Sequence, residues 1–130
     1  MGIAGRRSKP TIVVGESNFV TARLLVASLQ AGGWTAVAGT TGEDVVALID
    51  KHASNVLVLN LNLMQPGGIA LLRILQSRRL KIIGVTNSGQ ADMRPLAASL
   101  GVSSFFELPF VPSDFTTQMR NLVEHSYVTH

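Results

Sequence analysis

Three polar residues each stand at the end of an apolar, β-branched run in this chain of 130 residues: Glu16 after Thr11–Gly15, Asn60 closing Asn55–Asn60, and Thr86 closing Leu80–Thr86. A carboxylate, a carboxamide and a hydroxyl are thus the groups on which any chemistry would rest. Glu16 could act as a base or a cation ligand, but Gly15 beside it has no side chain, and the Asn60 amide brings no negative charge to a metal. An amide is no nucleophile either. There is no cysteine, which removes thiolate nucleophiles, disulfides and Cys-based zinc sites. His52, His125 and His130 fall at a helix end and in the tail, so neither a catalytic triad nor a metal cluster is expected. No Gly-rich loop that could cradle a phosphate follows the first run. The expectation is a protein that is not an enzyme and holds no cofactor and no metal.

The elements that position these residues follow from periodicity. Thr11–Gly15 reads as a strand, and Ser17 and Asn18 offer capping groups for a helix with Ala22, Leu25, Val26 and Leu29 on one face, ended by Gly32 and Gly33. Trp34–Ala38 reads as a second strand. Thr40, Thr41 and Gly42 then turn into a helix with Val45, Leu48, Ile49 and His52 in register, Thr41 and Asp44 forming a capping box with Asp in place of Glu. Asn55–Asn60 is a continuous apolar run of the kind found in central strands. A loop over Leu61–Gly68 leads to a helix from about Ile69 to Arg78, and Leu80–Thr86 makes a fourth strand. After a loop over Asn87–Ala91, Pro95 is tolerable only near a helix start, which makes Asp92 the expected N-cap of a short helix ending at Gly101. Val102–Glu107 is a fifth strand. Pro109 and Pro112 bracket a turn, and Ser113 opens a last helix with Phe115, Met119 and Leu122 facing inward. Strands alternating with helices imply the α/β class: a doubly wound, five-stranded parallel sheet in a flavodoxin-like three-layer sandwich.

Composition agrees with one compact domain. Hydrophobic residues make up 46% of the chain, charged residues 15% and aromatic residues 5%, as suits strands buried on both faces. Eleven Lys and Arg face eight Asp and Glu; Arg6, Arg7 and Lys9 supply three of the eleven, which leaves eight against eight in the rest. The expected organisation is a flexible basic arm over 1–8, a folded domain over 9–126 and a tail over 127–130. Arg78, Arg79 and Lys81 read as cations offsetting the carbonyl end of the preceding helix. No apolar run approaches the roughly 20 residues needed to span a bilayer, and Met1–Pro10 lacks the apolar core of a signal peptide, so a cytoplasmic protein without membrane contact is expected.

In such a sheet, ligands gather outside the carboxyl ends of the strands where the strand order reverses, here around Gly15, Glu16 and Asn60. From Lys9 to Glu124 the chain resembles the receiver domains of bacterial response regulators. Those domains carry an acidic pair after strand one, an Asp ending strand three, a Thr or Ser ending strand four, an aromatic in strand five and a Lys-Pro after it. Gly15 and Glu16 stand at the acidic pair, Asn60 at the phosphoacceptor Asp, Thr86 at the hydroxyl, Phe105 at the aromatic, and Leu108 with Pro109 at Lys-Pro. Gly68 keeps the family residue in the following loop, whereas Met64 stands where Pro is usual.

The resemblance implies phosphorylation of the strand-three residue with Mg²⁺ held by the acidic cluster, and this chain departs from each requirement. Asn60 cannot form an aspartyl phosphate, Glu16 alone is a poor first shell for Mg²⁺, and Leu108 supplies no cation to a phosphoryl group. The pocket of Gly15, Glu16, Asn60, Thr86 and Leu108 is therefore expected to be degenerate. By itself Glu16 reads as a partly solvated carboxylate near a helix start, Thr86 as a strand residue whose hydroxyl bonds nearby backbone, Phe105 as half-buried packing or a retained switch aromatic, and Gly15 as room for an altered loop or ligand.

The function expected on this reading is a phosphorylation-independent, receiver-like signal transduction module. Its partners would be proteins, a second copy of itself among them, met through the fourth helix, fifth strand and fifth helix by Arg94, Phe105, Arg120 and Glu124. Nucleic acid would be reached only through an output domain not present in this chain. Two alternatives stand beside it: a small-ligand sensor using the altered pocket, and the receiver part of a longer DNA-binding regulator.

Overall fold

The computed structural model describes residues 10–63, 67–87 and 93–128, without the side chains of 125–128. Five strands, β1 (Thr11–Gly15), β2 (Thr35–Gly39), β3 (Val56–Asn60), β4 (Lys81–Thr86) and β5 (Val102–Glu107), form one sheet in the order β2-β1-β3-β4-β5. Every neighbouring pair is parallel. Parallel neighbours need crossovers, which are supplied by α1 (Phe19–Ala31), α2 (Gly42–His52), α3 (Gly68–Ile74) with a 3₁₀ turn over Leu75–Ser77, and α4 (Arg94–Ser99); α5 (Pro112–Val128) closes the chain. This is the doubly wound, flavodoxin-like sandwich expected from the alternation of elements.

Alternate strand residues feed two cores. Ile12, Val14, Val56, Val58, Ile83 and Val85 pack against Leu25 and Leu29 of α1 and Phe115, Met119 and Val123 of α5. On the other face, Val13, Leu57, Leu59 and Ile82 meet Val45 and Ile49 of α2, Leu71 and Leu72 of α3 and Ala97 of α4. All five β3 residues are buried, which explains why that strand reads as an unbroken apolar run.

The caps follow the expected chemistry with one difference. Asn18 accepts from the Thr21 N–H at 2.9 Å, and Thr41 from the Asp44 N–H at 3.1 Å. The Asp44 carboxylate accepts instead from the Thr40 hydroxyl at 3.4 Å, so only half of the capping box forms; Asp is one methylene shorter than the usual Glu. The helix expected over Ile69–Arg78 tightens into a 3₁₀ turn after Ile74, with the Arg78 N–H bonded to the Leu75 carbonyl. Trp34 lies before β2 rather than in it, its N–H donating to Leu29 at the end of α1. Pro112, not Ser113, opens α5, where a residue without an N–H costs nothing. Met93 occupies the cap position of α4 without a side-chain cap bond; Asp92, like Met64, the 1–8 arm and His130, lies outside the described residues.

Candidate functional site

Glu16 leaves β1 at the strand-order reversal, and its N–H donates to the Gly39 carbonyl at 3.0 Å. Its side chain turns inward. One carboxylate oxygen accepts from the Asn60 Nδ2 at 2.6 Å and the other from the Asn18 N–H at 2.9 Å. Glu16 is 4% exposed and Asn60 2%, which corrects the expectation of a partly solvated carboxylate. The physical reason is that the amide and the helix-start N–H replace water as donors to the charge. The Asn60 carbonyl oxygen accepts from the Asn62 N–H at 2.9 Å, so the NH₂ is the group left to face Glu16; it also lies 3.4 Å from Asn87 Oδ1. Only a residue with both an acceptor and a donor satisfies this arrangement.

Gly15 does not leave room. A Cβ there would lie 2.9 Å from Leu59 Cδ1 and 3.0 Å from Val45 Cγ2, so core side chains already fill the space read as available for a ligand. Leu108 follows β5, its N–H bonded to the Thr86 carbonyl at 2.8 Å and the peptide to Pro109 cis. Its side chain is half-buried against the core shared by α1 and α5.

Thr86 is fully buried, and its hydroxyl accepts from Arg94 Nη2 at 3.4 Å, a side-chain partner in place of the backbone contact expected. The same nitrogen lies 3.5 Å from Glu107 Oε1, and the guanidinium stands 5.8 Å from the centre of the Phe105 ring. Phe105 is half-buried over Gly84, where a Cβ would come within 3.0 Å of the ring. The Arg94 Nε is buried without a hydrogen-bond partner.

Arg94 and Phe105 are thus brought together, while Arg120 and Glu124 are not with them. Arg120 pairs with Glu124 at 3.8 Å, donates to the Gly32 carbonyl at 3.2 Å and stands 5.6 Å from the Trp34 ring. The four residues expected to form one face therefore split: α5 packs beside α1, and its helical period turns Arg120 toward the end of that helix. Sequence reasoning missed Asn18, Asn62 and Asn87 as partners of the site. Asn87 had a signal, since it directly follows the strand-four hydroxyl at the carboxyl end of the sheet. Among the described residues no three His, Asp or Glu side chains gather to hold a metal, and no helix is long and apolar enough to cross a membrane.

Comparison with known proteins fits this geometry. The response regulator receiver domain model matches residues 12–120. The aerobic respiration control protein ArcA of Escherichia coli K12 is 23% identical over 118 residues, covering 90% of this chain and 50% of that protein. The chain thus spans about half the length of the curated relatives it matches. Among solved structures, NtrX from Brucella abortus in complex with ATP superposes with a TM-score of 0.86 at 19% identity, covering 93% of this chain and 28% of that one. A response regulator receiver domain protein from Clostridium thermocellum gives 0.81 at 15% identity, covering 92% and 98%. The chain belongs to the response regulator receiver domain family, the signalling modules of two-component response regulators.

Proposed function

We propose that this receiver domain signals without aspartyl phosphorylation, through protein contacts centred on α4 and β5. The observation that carries the reading is the buried bond from the Asn60 amide to Glu16 at 2.6 Å. The position that would accept a phosphoryl group holds a group that cannot be phosphorylated, and that group is already committed to the carboxylate that would help bind Mg²⁺. Leu108 adds no cation, and its side chain belongs to the core. The small-ligand alternative is weakened because Leu59 and Val45 fill the space beside Gly15.

Arg94, Phe105 and Glu107, with Leu96 at 45% exposure on α4, make up the surface assigned to a protein partner. DNA contact, in a longer regulator, would belong to an output domain outside this chain. The reading is tested by incubating the domain with acetyl phosphate, and separately with beryllofluoride, in the presence of Mg²⁺. Intact mass and amide NMR positions are expected to stay unchanged. A phosphoryl adduct, or beryllofluoride shifts concentrated at Glu16, Asn60 and Thr86, would overturn it.

A further inference from the structure

At the end of the sheet opposite Glu16 and Asn60, a shallow cleft of about 400 Å³ opens beside the starts of β3, β4 and β5, lined by Asn55, Arg79, Leu80, Lys81, Gly101 and Ser103. The sequence assigns Arg78, Arg79 and Lys81 alike to the carbonyl end of a helix, but the structure separates them. Arg78 forms an ion pair with Asp50 of α2, whereas Arg79 and Lys81 line the cleft. Neither of these two cations, nor the side-chain amide of Asn55, has a hydrogen-bond or ion-pair partner among the described residues. No carboxylate lines the cleft, and the Ser103 hydroxyl is committed to the Ile82 carbonyl at 3.1 Å.

Two like charges sharing a cleft without a counter-charge raise its positive potential and draw anions to it. The carboxylates at the same end, Asp50 and Glu124, are paired with Arg78 and Arg120, and Lys51 adds a further cation at the end of α2. A planar guanidinium fork, a compact ammonium and an amide donor together match the oxygens of a phosphate group. The lining holds no aromatic ring on which a base could stack. We propose that this cleft is a binding site for a phosphate-type anion carrying at least two negative charges, held by Arg79, Lys81 and Asn55. It is independent of the Glu16–Asn60 pocket, and its failure would leave the reading of that pocket intact.

The test is an amide NMR titration of the whole chain with sodium pyrophosphate at constant ionic strength, with inorganic phosphate and sodium chloride as parallel arms. Saturable shifts are expected at Asn55, Lys81, Gly101 and Ser103, stronger with pyrophosphate than with phosphate and absent with chloride. Arg79→Gln and Lys81→Gln should each weaken pyrophosphate binding by about two- to fivefold, the range for a solvent-exposed charge contact. Arg73→Gln, an exposed cation outside the cleft, should leave it unchanged. Absent or scattered shifts, equal shifts with chloride, or unchanged binding when Arg79→Gln and Lys81→Gln are combined in one chain would overturn the site. If a short DNA duplex binds through Arg79 and Lys81 while pyrophosphate gives no saturable shifts, the surface reads a polymer, and the small-anion assignment is equally overturned.

Discussion

The Asn60 amide lies 2.6 Å from a carboxylate oxygen of Glu16, a residue 44 positions earlier, and both side chains are almost wholly buried. Each satisfies the other. Glu16 takes donors from Asn60 and from the start of α1, and Asn60 offers its remaining oxygen to the Asn62 N–H. The pair ties the end of β1 to the end of β3.

Removing the acceptor should therefore expose its worth. Glu16→Ala leaves the Asn60 NH₂ and the Asn18 N–H without their partner and is expected to cost about 1–3 kcal/mol. Glu16→Gln keeps one acceptor oxygen but turns its NH₂ toward the other donor, so it should recover at most part of that loss. Urea denaturation of the two variants makes the comparison, and a loss below about 0.5 kcal/mol in Glu16→Ala would show that the two hydrogen bonds contribute little.

Asn60→Asp alone places a second carboxylate against Glu16 with no cation nearby, and the like charges should destabilise the fold by about 2–4 kcal/mol at neutral pH. Phosphoryl uptake from acetyl phosphate should not appear. Both outcomes are read from a denaturation curve and an intact mass.

On the proposed reading, phosphoryl chemistry would need the cation as well as the carboxylate. Asn60→Asp supplies a second carboxylate beside Glu16 and should begin to bind Mg²⁺, whereas Leu108→Lys adds the cation at a packing cost, because Leu108 rests against the core. Adding Gly15→Asp should strengthen Mg²⁺ binding at a packing cost of about 1–3 kcal/mol, because the new Cβ must displace Leu59 and Val45. A Mg²⁺ titration followed by amide NMR distinguishes the variants; if neither responds, the geometry of the strand ends has diverged along with the side chains.

Arg94 links Thr86, Glu107 and Phe105 across α4, β4 and β5. Its side chain is 35% exposed, so Arg94→Ala should cost only about 0.5–1 kcal/mol while freeing the Phe105 ring. Arg94→Lys should not restore the ring environment, since an ammonium cannot lie flat on the aromatic face and reach both oxygens. Aromatic NMR shifts and hydrogen exchange over β5 report the difference. Unchanged Phe105 resonances in Arg94→Ala would show that the guanidinium does not hold the ring.

Gly68 opens α3 with its Cα against the backbone of Leu61; a Cβ there would lie 2.4 Å from the Leu61 carbonyl oxygen. Gly68→Ala should destabilise by about 1–3 kcal/mol, because backbone cannot swing aside as a side-chain tip can. At Gly101 the φ of +108° strains any replacement, but a Cβ meets nothing within 4 Å, so Gly101→Ala should be the milder change. Parallel thermal melts rank the two.

The sequence by itself determined the order of elements and the identity of the groups at the strand ends. β1 and β5 span the residues expected, because short β-branched or aromatic stretches and the Gly or Pro residues that bound them are local properties of the chain. That the group closing the third strand cannot form an aspartyl phosphate is likewise legible, since an amide at position 60 is a covalent fact. Which atoms meet was decided only by the tertiary structure. Whether Glu16 faced water or Asn60, whether the Thr86 hydroxyl met backbone or Arg94, and whether Arg120 joined Phe105 or turned to Gly32, 88 residues earlier, depended on how the crossovers laid the helices on the sheet. Distant partners leave no periodic trace in sequence, because side-chain hydrogen bonds depend on a few tenths of an ångström and on helical phase, both set by packing.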